Sequence, residues 1–442
     1  MSGKSLKLGL LVGVFVFFGM ATAEETTSTV SSGDTAWVLI SAALVLLMTP
    51  AVGLFYGGMV RGKNVLTIMT QSFVIVAIVS VLWVLIGYSI AFGPDVGGVT
   101  GNLDLAGLNN VGTEPNPAYS STIPQGAFMI FQCMFAIVTP ALIIGAFADR
   151  LKFSAFIIFT GLWSVFVYAP LAHWVWGAGG WLRGLGALDF AGGTVVHISA
   201  GLSAIVAAVV IGRRHEYRNG SEIKPHNITM TMLGASLLWF GWFGFNAGSA
   251  LAANGLAVSA FVTTNTAAGA AALSWMAISW RHTRKPSSLG IFTGAVCGLV
   301  AITPAAGFVS PVSAIIIGAI AGAVCYSIVW FVKNKTGIDD ALDVFACHGV
   351  GGIIGALLTG VFAEKIINAA GSNGVAFGNL SQLGSQAIAV GATIAFAGTM
   401  TFIILKALDK TIGLRVSKEE EIIGLDLTQH GEEAYPDMEI PG

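Results

Sequence analysis

The sequence predicts an all-α integral membrane protein of eleven transmembrane helices, arranged as two inverted five-helix repeats plus a final helix. Three observations predict it. Of 442 residues, 55% are hydrophobic and only 10% are charged, whereas about a quarter of residues are charged in an ordinary soluble domain. Apolar runs long enough to span a bilayer recur along the whole chain. The basic residues fall almost entirely into alternate loops between those runs.

The chain opens with Lys4 and Lys7, a short apolar core and "ATA" ending at Ala23, the layout of a cleavable signal peptide over residues 1–23. The mature N-terminus is therefore expected outside. Spanning runs follow at 36–58, 65–92, 124–147, 154–175, 192–212, 228–247, 257–279, 288–306, 311–332, 345–363 and 383–406. Alternate loops hold Arg61, Lys63, Arg150, Lys152, Arg213, Arg214, Arg218, Lys224, Arg281, Arg284, Lys285, Lys333 and Lys335, while the opposite loops hold only Arg183 and Lys365. That asymmetry puts the basic loops and the C-terminus inside and supports the helix count, because a missed helix would scramble it. The stretch at 94–123, rich in Gly, Asn and Pro, reads as an external loop with little regular structure. The spanning unit occupies residues 24–406, and residues 407–442 form a charged cytoplasmic tail.

A formal net charge of −2 offers no basic surface for nucleic acid. Cys133, Cys297, Cys325 and Cys347 are scattered singly, so neither a disulfide framework nor a zinc site is signalled. No His-Glu-x-x-His or similar catalytic spacing occurs, so no enzyme and no cofactor are expected.

Two histidines stand out. His197, in "GGTVVHIS", opens the fifth run and His348, in "VFACHGVGG", opens the tenth. An odd-numbered unit repeated in tandem sits upside down the second time, so the two occupy equivalent places and approach each other from opposite sides. An ionisable side chain in a membrane is expensive and usually lines a pathway. Two neutral imidazoles can bond to each other and guide a small polar solute, whereas two ligands without a carboxylate or cysteine partner make poor zinc chemistry. Phe131 and Phe135 lie at i and i+4, with Gln132 beside them, a pattern that core packing also produces. Trp176 sits where a belt tryptophan is expected, and "WFGWFGFNAGSA" adds Trp239, Trp242, Phe245, Asn246 and Ser249, an aromatic and hydroxyl set that suits a cation. Asp189, just before the fifth run, suits a helix cap and also a cation-attracting charge.

The stretches "GLFYGGMVRGKN", "GALDFAGGTVVHISAG", "GWFGFNAGSA", "DVFACHGVGGIIG" and "GLDLTQHGEEAY" together resemble the ammonium transporter family (Amt, Mep and Rh proteins), on the bacterial and archaeal Amt side. The resemblance covers nearly the whole mature chain. It implies a homotrimer in the inner cell membrane, surrounded by lipid, with one pore per subunit for ammonium or ammonia and methylammonium as an analogue. It implies a recruitment site of Phe135, Trp176 and Ser249 with Asp189 beside it, a gate of Phe131 with Phe245, and the pore histidines His197 and His348. Trp181 competes with Trp176 for the recruitment role. It further implies proton-coupled net ammonium uptake, with a passive ammonia channel or an ammonium sensor signalling through the tail as alternatives. A cytosolic PII-type signal protein is the implied partner at the inner face, and Thr428 a candidate regulatory site.

Overall fold

The computed structural model describes residues 30–218 and 223–436, so the predicted signal peptide lies outside the described residues. Ten helices among them are long and apolar enough to cross a membrane. These are α1 (Ser32–Met59), α2 (Gly62–Phe92), α3 (Gln125–Phe147), α4 (Phe153–Gly184), α5 (Gly193–Ile211), α6 (Ile228–Gly248), α7 (Gly255–Thr283), α9 (Pro311–Thr336), α10 (Phe345–Phe362) and α11 (Leu380–Thr411). The predicted eighth span is α8 (Ser288–Ile302), an apolar helix of 15 residues, which brings the total to eleven.

Several helices begin where the sequence supplies a cap. Ser31, Asn227, Asn254, Ser287, Ser310 and Asn379 each accept from a first-turn amide of α1, α6, α7, α8, α9 and α11, satisfying donors that have no partner within the helix. The apolar run after α8 continues as irregular backbone, but it stays inside protein: Phe190 N donates to the Pro304 carbonyl, Glu364 N to Phe308, and the Thr263 hydroxyl to Ala306. Non-helical backbone at membrane depth is tolerable under that condition. Helix α3 is buried along nearly its whole length and runs through the centre of the bundle. The first helices of the two halves, α1 and α6, pack along each other, close enough that a Cβ on Gly244 would stand 2.7 Å from Leu44 Cβ.

One region differs from the sequence expectation. The external loop carries a short antiparallel hairpin, Asp95–Val96 with Thr100–Gly101, and one 3-10 turn, Ala106–Leu108. The charged tail is docked. Leu151 and Arg415 form a β-bridge, α12 (Lys418–Ile423) follows with a Ser417/Glu420 capping box, and Asp426 accepts from Leu66 N (2.9 Å), Thr67 N (2.7 Å) and the Thr67 hydroxyl (2.7 Å) at the start of α2. Glu421 pairs with Arg415 of the tail itself, and Arg61 turns to Asp149 and Glu216. Arg150, fully buried, donates to four backbone carbonyls, and Lys63 and Lys152 donate to tail carbonyls. The tail therefore holds on through main-chain bonds, which fix position better than exposed ion pairs do.

Candidate functional site

Helices α5 and α10, at 19 and 18 residues, are the two shortest of the ten spans and occupy corresponding places in the two halves. Short or interrupted helices in matched positions mark the binding region in repeat-built transporters. An aspartate precedes each histidine by eight positions: Asp189 before His197, and Asp340 before His348. Asp189 Oδ1 accepts from Gly192 N (2.7 Å) and Gly193 N (2.6 Å), and Oδ2 from Thr194 N (2.8 Å), the Thr194 hydroxyl and Val195 N (3.3 Å). Both oxygens are committed to the start of α5. This is the geometry of the expected cap, with the charge facing the helix N-terminus.

Asparagine at that position would turn an amide donor toward amides that already donate. Asp189→Asn, like Asp189→Ala, is therefore expected to destabilise the protein by about 1–3 kcal/mol, measured as an earlier thermal transition of the detergent-solubilised protein. A wild-type transition in the asparagine variant would refute the anchoring role.

Asp340 escaped sequence reasoning, although the repeated eight-residue spacing was the signal that could have found it. Its Oδ2 accepts from Phe345 N at 2.7 Å, its Oδ1 is buried without a partner, and burial, then the Asp343 charge, push its carboxyl up to about 7.

The glycines around each histidine let the two helices touch. A Cβ on Gly201 would overlap the Gly349 backbone, and one on Gly352 would stand 2.9 Å from the Gly193 carbonyl and 3.1 Å from His197 Cβ. This crossing brings the two imidazoles together: their Nδ1 atoms are 3.3 Å apart and their rings, 5.4 Å between centroids, lie 21° from parallel. At that spacing one Nδ1 donates and the other accepts. His197 also stacks on Trp242, whose indole donates to Thr303 at 2.9 Å. The remaining nitrogen of His197, Nε2, is buried and has no hydrogen-bond partner.

Both imidazoles line an internal cavity of about 10 Å³, room for about one water-sized molecule. Its other walls come from α1 (Met48, Val52, Phe55, Tyr56), α3 (Val138, Leu142), α6 (Leu238, Trp242, Phe245), and Val196 and Val296. On the other side of Phe245 lies an outer cavity of about 200 Å³ lined by Phe135, Trp176, Ser249, Gln132, Tyr119, Phe128, Phe190 and Arg183 among others. Phe135 and Phe245 separate the two, with ring centroids 4.3 Å apart. The family resemblance implies Phe131 with Phe245 as the gate, whereas the ring that meets Phe245 is Phe135. Phe131 packs on Phe135 at 4.9 Å and against Gly248. Trp176 stands edge-on to Phe135 at 6.0 Å, its indole bonded to the Asp189 carbonyl at 2.9 Å. Trp181 instead packs on Trp174 at 5.5 Å, outside the cavity lining. The Gln132 Oε1 is buried and unpartnered, and Arg183 reaches the Trp176 carbonyl at 2.8 Å. Thr428, in the tail, donates its hydroxyl to the Gly424 carbonyl at 2.8 Å.

A multi-pass helical membrane protein with an aromatic outer cavity, a two-ring partition and a paired-imidazole cavity behind it belongs to the class that handles a small solute across a bilayer. The chain belongs to the ammonium transporter family, whose model matches residues 36–435. It is 52% identical to an ammonium transporter of Bacillus subtilis over 92% of this chain and 99% of that protein. It is 51% identical to ammonium transporter Amt1 of Archaeoglobus fulgidus over 92% of this chain and all of that protein. Among solved structures, Mep2 of Saccharomyces cerevisiae superposes with a TM-score of 0.83 at 37% identity, covering 89% of this chain and 92% of that one. A sensor Amt protein superposes at 0.83 with 32% identity, covering 90% and 98%. Ammonium transport across a membrane is the activity this membership gives the chain.

Proposed function

We propose that the protein takes up ammonium by recruiting the cation in the outer cavity, removing a proton at the Phe135 and Phe245 partition, and passing ammonia along His197 and His348. The observation that carries this is the pairing of an aromatic cavity with a narrow, largely apolar, imidazole-lined cavity directly behind one ring contact. Phe135 and Trp176 offer ring faces to a cation, worth about 0.5–2 kcal/mol each depending on desolvation. Ser249 and the unpartnered Gln132 Oε1 accept from N–H groups, which a potassium ion lacks. Carrying a bare ion past the partition is costly, whereas neutral ammonia crosses far more easily. Burial lowers an amine's pKa by up to about 3–5 units, so the charged form is stable outside the partition and the neutral form inside it. The His197 Nε2 is then the first polar atom of the inner cavity free to bond the solute. Net proton-coupled uptake follows if the released proton crosses by a separate route, and a passive ammonia channel if it returns outside. Current from reconstituted protein during an ammonium pulse, read at several pH values, distinguishes them. Uptake of radiolabelled methylammonium by cells making the protein separates transport from a sensor, which would signal without flux.

The reading includes a homotrimer in the inner cell membrane, a signal peptide over residues 1–23, and a tail that a PII-type protein engages. Docking of Asp426 on the α2 start supports control of the pore by the tail, because α2 neighbours α1 and α3, which wall the inner cavity. Truncation after Val416 removes that cap. Thr428→Asp, standing for a phosphate, loses the Gly424 bond and adds charge two positions from Asp426. The neutral hydrogen bond lost in Thr428→Asp is worth about 0.5–1.5 kcal/mol, so that change should shift the docked population a few-fold, whereas the truncation removes the docked segment altogether. Methylammonium uptake at equal membrane abundance is expected to fall in both variants. Wild-type rates together with unaltered PII binding would sink this part of the reading.

A further inference from the structure

Of the residues that line the outer cavity, Arg183 alone is charged, and none is acidic. A cavity assigned to a cation therefore has a positive lining. Among the described residues Arg183 forms no salt bridge. Asp189 spends both carboxylate oxygens on the start of α5, Asp34 accepts from Ala253 N, and Asp95 accepts from Gly98 N. The guanidinium is also fixed in place. It rises from the turn Trp181–Gly184, which is pinned by the fully buried Leu182 and by Trp181 N on the Gly98 carbonyl at 3.1 Å. Its Nη1 donates to the carbonyl of Trp176, a wall of the same cavity, at 2.8 Å.

The groups that attract a cation here are all neutral. Phe135 and Trp176 supply rings, Gln132 supplies an unpartnered Oε1, and Ser249 has already given its hydrogen to the Phe245 carbonyl at 2.9 Å. Ring and hydrogen-bond attraction act at contact range, whereas charge repulsion reaches across the cavity. A cavity of about 200 Å³ is comparable in width to the screening length of about 8 Å at physiological salt, so an occupant feels the guanidinium. Coulomb repulsion scales with the product of the charges. An ion with one ammonium group meets it once, and an ion with two meets it twice. We infer that Arg183 is a specificity-determining residue: its fixed charge admits ions with a single ammonium group, turns away diammonium ions, and weakens ammonium binding in doing so. This role rests on the recruitment proposed for the outer cavity.

The test uses methylammonium uptake by the intact protein in proteoliposomes, at an external pH of about 7, well below the alkylamine range of about 10. Arg183→Gln keeps a donor for the Trp176 carbonyl and removes the charge, whereas Arg183→Lys keeps the charge. Arg183 is exposed, so both variants are expected to fold. Between ionic strengths of about 0.01 M and about 1 M the screening length falls from about 30 Å to about 3 Å. At the low end, the half-saturating methylammonium concentration of Arg183→Gln is expected several-fold below that of wild type, and at the high end the two should converge. Inhibition by putrescine, a diammonium ion, is then compared with inhibition by butylamine, which has the same chain length and one ammonium group. Wild type should favour butylamine. In Arg183→Gln the ratio should move several-fold toward putrescine at low ionic strength, and Arg183→Lys should keep the wild-type preference. An unmoved ratio in Arg183→Gln, or an equal shift in the glutamine and lysine variants, overturns the inference, the second outcome leaving Arg183 only its bond to Trp176. Trp176→Ala separates it from the reading beneath it. A raised half-saturating concentration there, with the Arg183→Gln ratio unmoved, removes the charge role alone. An unchanged half-saturating concentration in Trp176→Ala removes recruitment by the outer cavity, and the charge role with it.

Discussion

His197→Ala and His348→Ala are each expected to lower methylammonium uptake at least about tenfold and to admit potassium, while the protein stays folded. The loss begins with the 3.3 Å contact between the two Nδ1 atoms. Removing either ring leaves the other nitrogen buried and unpaired, at about 1–3 kcal/mol, and one factor of ten corresponds to about 1.4 kcal/mol. Removing a ring also enlarges a cavity of about 10 Å³, which holds about one water-sized molecule, into one with room for several waters. A hydrated path no longer rejects a bare cation. The fold survives because Trp242 retains its bond to Thr303, and the Gly201 crossing with Gly349 is independent of either ring. His197→Asp goes further, because a fixed negative charge compensates a cation in the cavity; conduction should persist with selectivity lost. The check is paired measurement of methylammonium uptake and potassium current in proteoliposomes. Unchanged selectivity against potassium in both alanine variants would falsify a histidine-lined path.

Much of this architecture is legible in the sequence because a bilayer imposes a coarse code. Apolar length and the side on which arginines and lysines fall determine the spans, and both are local properties of the chain. The histidine pair was legible for a related reason: an odd repeat places the starts of α5 and α10 opposite each other, so equivalent positions meet. What the sequence hides is set by contacts between distant segments. The run at 288–306 reads as one span, yet α8 stops at Ile302 because residues 303–309 find partners in Phe190, Glu364 and Thr263. Phe131 and Phe135 share a face of α3, so spacing alone does not say which ring meets Phe245. The place of Asp189 before the fifth run suits a cap, and the structure surrounds it with five donors at that helix start. The tail's docking depends on main-chain amides that no charge pattern reveals.

Gly201→Ala is the smallest change expected to dismantle the site. A methyl there would overlap the Gly349 amide nitrogen and Cα, and because these are backbone atoms no side-chain rotation relieves the overlap. The helices must separate, and the separation falls one turn from His197 on α5 and beside His348 on α10. Overpacking of this kind destabilises by about 1–3 kcal/mol, against a gain of up to about 1 kcal/mol from replacing glycine by alanine within a helix. The net sign is therefore unfavourable at Gly201 and reversed wherever the space is open. Gly391, on α11, is such a position, because a methyl added there would meet nothing within 4 Å. Gly201→Ala is expected to lower the thermal transition and cut methylammonium uptake to near background, whereas Gly391→Ala leaves uptake unchanged and the transition equal or slightly higher. Gly352→Ala, with its nearest neighbour at 2.9 Å, should fall between them. Equal uptake in the Gly201 and Gly391 variants would show that the two imidazoles are not held by this crossing.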